Sequence, residues 1–201
     1  MSGIIAQNTL DSSGLIKAPA GGGAWNFIAK QTASASADIS FTSGIDSTYK
    51  EYLFTFKDIH PATDNAEFQF NMSIDGGSNY NVTKTSTYFY AYHYEDGSST
   101  SLTYNTSGDL AQSTAFQNIA TNVGADNDQS VSGYLHLFNP SSTTFVKHWI
   151  SQISNAHGAD IMINPYTAGY GNTTSAVDAV QFKFSADEID AGDICLYGIT
   201  T

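Results

Sequence analysis

The chain contains no arginine and little else that is charged. Its 201 residues carry seven lysines against nineteen acids, a formal net charge of −12 with only 13% of residues charged. Without guanidinium forks, and with a strongly negative field, the chain is not built to grip a phosphate backbone, which argues against nucleic acid as a partner. The same sign disfavours anionic membrane surfaces. No apolar run approaches the roughly 18 residues that a spanning helix needs, so membrane insertion is not expected. A single cysteine, Cys195, leaves nothing to pair with in an internal disulfide. It sits in an apolar C-terminal stretch with no electropositive neighbour in sequence, the pattern of a buried structural thiol. The first residues have neither the basic nor the apolar region of a secretion signal, so synthesis in a cytoplasm without export is expected.

What the chain does have is aromatic and uncharged polar residues. Tyrosine and phenylalanine supply twelve residues each, and serine, threonine, asparagine and glycine fill much of the rest. This is the composition of strands with a polar, weakly charged exterior. Such a surface resembles that of an extracellular display module, on a chain with no export signal. Virion proteins, released by lysis, satisfy both conditions.

The chain divides near residue 24. Residues 1–24 read as an extended anchoring arm, with Ile4, Ile5, Leu10, Leu15 and Ile16 as its irregularly spaced apolar side chains and Gly21-Gly22-Gly23 as a hinge. A short arm jointed to a compact body suits a protein that plugs one end into an assembly and displays the other. Residues 25–201 are long enough for one domain with a sizeable core.

Period-2 alternation dominates the body. Glu67 to Asp75 puts Phe68, Phe70, Met72 and Ile74 on one face, with polar residues between. Lys50 to Ile59 does the same with Tyr52, Phe54 and Phe56. Tyr80 to Tyr94 places Tyr88, Tyr90, Tyr92 and Tyr94 on one face and Phe89, Ala91 and His93 on the other. Seven more strands are predicted at Trp25–Lys30, Ala37–Thr42, Val131–Phe138, Thr144–Ser154, Ile161–Gly169, Val177–Phe184 and Ile194–Thr200. Turn chemistry separates them, as in His60-Pro61-Ala62-Thr63-Asp64-Asn65, Asp75-Gly76-Gly77 and Asn139-Pro140. Only Gly108 to Gly124 resists a strand reading and suggests a short helix or an ordered loop over a sheet edge. The expected fold is all-β: an antiparallel β-sandwich of jelly-roll type, with the extended N-terminal arm.

Motifs of catalysis are missing. There is no HExxH, CxxC, GxSxG, phosphate-binding loop or dinucleotide fingerprint, so no enzyme and no cofactor is expected. The five histidines (His60, His93, His136, His148, His157) show no ligand spacing, although His136 and His148 lie in strands that can pair across the Asn139-Pro140 turn. Four scattered glutamates nominate no glycosidase acid pair. Asp126-Asn127-Asp128 resembles part of a calcium loop but lacks the turn glycine and closing glutamate, which leaves a solvated acidic loop as the plainer reading; no metal ligand is assigned. The tyrosine row Tyr88, Tyr90, Tyr92, Tyr94 is the one constellation suited to binding. Phenol rings offer a flat apolar face with a polar tip, fit for stacking on sugar rings or for a subunit interface; the bland alternative is packing beneath Gly108–Gly124.

Several segments carry a family likeness. FTSGIDSTYKEYLFTF, IHPATDNAEFQFNMSIDGGSNYNVTKT, DLAQSTAFQNIATNVG, LHLFNPSSTTFVKH and FKFSADEIDAGDICLYGI resemble small structural proteins encoded by marine tailed bacteriophages, including those of cyanobacteria. The likeness covers Trp25 to Ile199, and the start around Ser12-Ser13-Gly14-Leu15-Ile16 is similar to the starts of such proteins. In that group a serine-glycine-asparagine step usually precedes the aspartate of the ending. Here Ser185-Ala186-Asp187-Glu188 replaces it, so no geometry is carried over at that turn. The resemblance implies a virion component and transfers no catalytic residue; with the division into arm and body, the expectation is a structural protein on the particle exterior, its arm held by other virion proteins. It is compatible with a tail-fibre or appendage protein that attaches to host-surface glycans, or with a capsid decoration protein; an enzyme acting on surface polysaccharide is the weakest alternative. A tyrosine-rich, low-charge sheet face is costly to leave in water, so self-association is expected, as a homotrimer of the kind common in such appendages.

Overall fold

A computed structural model describes residues 24–200 of the chain; residues 1–23, with the apolar positions Ile4, Ile5, Leu10, Leu15 and Ile16, and residue 201 lie outside the described part. The described residues contain twelve strands and no helix. They are β1 (Trp25–Ser36), β2 (Ile39–Phe41), β3 (Glu51–Pro61), β4 (Ala66–Ser73), β5 (Lys84–Tyr94), β6 (Thr100–Tyr104), β7 (Gln117–Val123), β8 (Val131–Phe138), β9 (Lys147–His157), β10 (Ile161–Gly171), β11 (Ala179–Phe184) and β12 (Ile189–Ile199).

Every strand pairing is antiparallel, and the strands form one sheet that nearly closes into a barrel. One run reads β1-β12-β3-β8-β9-β10-β5-β6; the other reads β7-β4-β11-β2, joined to the first by a single bridge, Val123 to His157. Four pairings nest within one another along the chain: β1 with β12, β2 with β11, β3 with β8, and β4 with β7. The body is therefore a long antiparallel ribbon rolled upon itself. Two hairpin excursions leave it. The β5–β6 pair lies between β4 and β7 in sequence, and the β9–β10 pair lies between β8 and β11. All four of those strands add to the long run.

The two runs meet across an aromatic core. Phe182 on β11 lies 5.1 Å, between ring centres, from both Phe54 and Phe56 of β3, and Phe70 on β4 lies 4.9 Å from Trp149 of β9. None of these pairs is hydrogen-bonded strand to strand, so the contacts cross the core. Edge-to-face ring packing of this kind adds about 0.5–1.5 kcal/mol per pair beyond area burial. Turns fall where short polar side chains tolerate left-handed backbone, at Asn65 (φ 62°) and Asn139 (φ 45°), both inside the predicted turn segments.

Besides β6, which has no counterpart in the sequence reading, three details depart from it. Gly108–Gly124 holds neither a helix nor a loop throughout, because Gln117–Val123 is β7, paired with β4. Its apolar spacing is obscured by Gln117 and Thr121, which are buried along with their neighbours Ile119 and Ala120. On β4 the alternation also breaks: Asn71 and Ser73 are buried along with Phe70 and Met72, while Ile74, just past the strand, is exposed. Asn71 is covered because its amide donates to the carbonyls of Tyr80 and Thr114. Finally, Cys195 is half-buried rather than sealed in the core; its register neighbours are Lys30 on β1 and Thr55 on β3.

Candidate functional site

The tyrosine row lies on β5, where alternation puts Lys84, Ser86, Tyr88, Tyr90, Tyr92 and Tyr94 on the face turned toward β7. The rings form a ladder, with successive centroids 6.1, 6.2 and 5.9 Å apart from Tyr88 to Tyr94. The ladder is graded in depth. Tyr88 is fully buried, whereas Tyr90, Tyr92 and Tyr94 are half-buried. Gly108 seats the Tyr88 ring: a side-chain carbon at that position would stand 2.9 Å from it. The inner end thus follows the bland alternative, packing beneath the Gly108–Gly124 segment, and the outer three line a cleft.

That cleft holds about 260 Å³. One wall is the tyrosine ladder with Ile161 and Ile163 of β10; the other is Thr121 and Asn122 of β7, with His157 at the end of β9. The sequence reading assigns neither β7 nor His157 to it. β7 has no clear apolar alternation to mark it as a strand, and His157 comes to the cleft through its pairing with Val123.

Beside the buried end lies Glu67. Its carboxylate accepts hydrogen bonds from the Thr121 hydroxyl (3.1 Å), the Asn122 amide (3.4 Å) and the Asn118 side chain (3.4 Å). Burial pushes this carboxyl above its ordinary range, while the Thr121 and Asn122 hydrogen bonds pull it down. Burial also raises the Tyr88 phenol well above its ordinary value, with the Glu67 and Tyr90 charges adding to the effect. Tyr88 is therefore a neutral phenol, and its hydroxyl has no hydrogen-bond partner among the described residues. The His157 ring is shifted downward by burial, and its Nδ1 accepts the Ala159 amide at 2.9 Å. Glu67 thus lies by the buried end of the ladder, and His157 stands at its outer end, where β10 pairs Ile161 with both Tyr94 and His157.

The other singled-out residues are dispersed. His136 meets Glu51 at 2.5 Å, and His148 lies against the Tyr170 ring, so the two histidines do not join even though β8 and β9 pair. Asp128 lines a separate depression with Asp58, His60 and Asp190, while Asp126 offers its backbone carbonyl to His60. Among the described residues no group of three or more His, Cys, Asp or Glu side chains is placed to hold a metal ion. No helix there is long and apolar enough to cross a membrane. No protein-family model matches the chain, and searches of curated proteins and of solved structures give no match.

Proposed function

We propose that this is a non-enzymatic structural protein of the exterior of a tailed bacteriophage particle, anchored by residues 1–24 and displaying the β body, in which the tyrosine cleft binds a host-surface glycan. The observation that carries the glycan reading is the half-open ladder of Tyr90, Tyr92 and Tyr94 facing Thr121, Asn122 and His157. Pyranose rings offer an apolar face of C–H bonds and an edge of hydroxyls. Phenol rings on one wall and amide and hydroxyl groups on the other match that division. The body is read as a jelly roll because its nested ribbon, β1/β12, β2/β11, β3/β8 and β4/β7, rolls into facing runs β1-β12-β3-β8 and β7-β4-β11-β2. Double-sheet folds of that type serve both viral capsid and lectin domains. The virion placement rests on the sequence resemblance and on the weakly charged, aromatic composition.

The test has two parts. Antibody raised against the body is expected to label the tails or appendages of intact tailed particles; labelling spread over the head would favour a capsid decoration protein. On a glycan array the purified chain is expected to bind a subset of neutral sugars and lose that binding with Tyr90→Ala/Tyr92→Ala. Sugar binding that survives the double substitution would remove the cleft from the proposal.

A further inference from the structure

The opposite face of the same sheet carries a larger and more apolar surface than the cleft. On β5 it shows Phe89, which stacks on Tyr166 of β10 with ring centres 5.4 Å apart and planes 6° from parallel. Register continues the row through Gln152 of β9 to Tyr134 of β8. The Tyr134 hydroxyl donates to Gln152 at 2.8 Å, and the Gln152 amide donates to the Tyr166 hydroxyl at 2.7 Å. These bonds tie the tyrosine tips to a neighbouring strand, so their polar groups are spent on the sheet itself. Of the exposed large apolar side chains among the described residues, Phe89, Leu102, Tyr104, Tyr134, Ile150 and Met162 lie on this face of β8, β9, β10, β5 and β6, whereas Trp25 and Phe27 lie on β1, and Ile74 and Phe145 lie outside the strands. Beside the row, Thr87 and Ala168 leave a depression between Phe138, His148, Ile150 and Tyr170, with a volume of about 520 Å³.

We infer that this outward face of β8, β9, β10, β5 and β6 is the surface by which the chain associates with a second copy of itself. Charge singles out that partner. In a chain with nineteen acids and a net charge of −12, these five strands contain no aspartate or glutamate. Their two lysines, Lys84 and Lys147, point inward and are fully buried. Two copies of so acidic a protein repel each other wherever their acids approach, and here the carboxylates that touch the face stand at its margins and are engaged, Glu51 with His136 and Asp109 with the Tyr104 hydroxyl, which lowers that cost. Size agrees. Five strands at about 4.8 Å spacing, most of them eight to eleven residues long at about 3.3 Å per residue, give roughly 700 Å². A stable specific contact takes about 800 Å² from each partner. Aromatic enrichment with depleted charge is also the composition of an interface centre. The depression beside the row is a socket for a side chain of the other copy.

Light scattering on the full chain at micromolar concentration tests this, with variants chosen from exposed positions that folding does not need. Ile150→Asp and Leu102→Asp place a charge at residues 48% and 72% exposed on the face. Ile74→Asp does the same at a residue 43% exposed elsewhere. The expected result is a multimer for the parent and for Ile74→Asp, and a monomer for the other two, with melting temperature and near-ultraviolet spectrum of the monomers retained. A monomeric parent, or a multimer that persists in both face variants, overturns the inference. A monomeric parent that sediments with insoluble polysaccharide, and stops doing so with Ile150→Asp, overturns it in favour of a glycan platform.

Discussion

Two residues of this chain are placed against their ordinary chemistry, and both make measurable predictions. Lys84 is fully buried, with its ammonium hydrogen-bonded only to the Asn71 side chain at 2.5 Å and the Val82 carbonyl at 2.8 Å. With no carboxylate paired with it among the described residues, burial lowers its pKa from 10.5 to about 7. The unfolded chain then holds a proton that the folded one gives up between pH 7 and 10.5, so stability rises with pH across that window and its deficit is greatest below pH 7. Measured between pH 7 and 9, below tyrosine ionisation, the melting temperature of the parent is expected to climb, and Lys84→Met to flatten that climb. A flat parent profile would show that Lys84 stays charged in the fold. Tyr88 is the second case. Its hydroxyl is buried without a partner among the described residues, an arrangement that costs about 1–3 kcal/mol. Tyr88→Phe keeps the ring against Gly108 and removes that cost, so it is expected to match or exceed the parent in denaturant unfolding. A loss of more than about 1 kcal/mol would mean that the hydroxyl is hydrogen-bonded.

At the scale of elements, β5 joins the core, the cleft and the outward face. Its period of two puts tyrosines on one side and Phe89, Ala91 and His93 on the other, and this much is legible from Tyr88 to Tyr94 alone. Which side faces water is not, because an aromatic row is written the same way whether it lines a cleft or a core. Neighbours decide it: Gly108 and β7 cover the tyrosine side, and nothing among the described residues covers Phe89. Strands β3, β4 and β8 are evident from the alternating apolar residues of the sequence, although burial on β4 does not follow that alternation at Asn71 and Ser73, whereas β6 and β7 are not evident. β6 is an edge strand with no buried residue, so it has no apolar period to show, and β7 buries polar and apolar residues alike. The graded ladder predicts graded consequences. Tyr88→Ala removes a fully buried ring and is expected to cost about 3–5 kcal/mol. Tyr90→Ala/Tyr92→Ala removes half-buried rings and is expected to cost less than that while abolishing sugar binding. Chemical denaturation of both variants beside the glycan array checks the ordering. A double variant that unfolds as readily as Tyr88→Ala would make the outer rings structural.

The described residues hold together through long-range pairing, and that bears on what a truncation is expected to do. The rolled ribbon closes at its outermost rung, where β1 runs against β12 from Trp25–Ile199 to Ser36–Ile189. Beneath it Phe182 is surrounded by Phe41, Phe54, Phe56, Phe68 and Phe70, so the core draws on strands from both ends of the body. Losing the Phe182 ring would be felt throughout, at about 3–5 kcal/mol. Losing the chain before the first rung should not be. The pairing from Trp25 onward is complete within residues 24–200, and the charge removed with residues 1–20 is small: Lys17 and Asp11 offset each other. Deleting residues 1–20 is therefore expected to leave the circular dichroism spectrum and the melting temperature within about 1 °C of the parent, below the roughly 2–4 °C by which 1 kcal/mol shifts a domain of 150–250 residues. If residues 1–24 are the anchor to the particle, the same deletion abolishes incorporation into virions. A truncated chain that still reaches full occupancy on purified particles would move the anchor into the body, and one that melts several degrees lower would show that the first residues help to hold the fold.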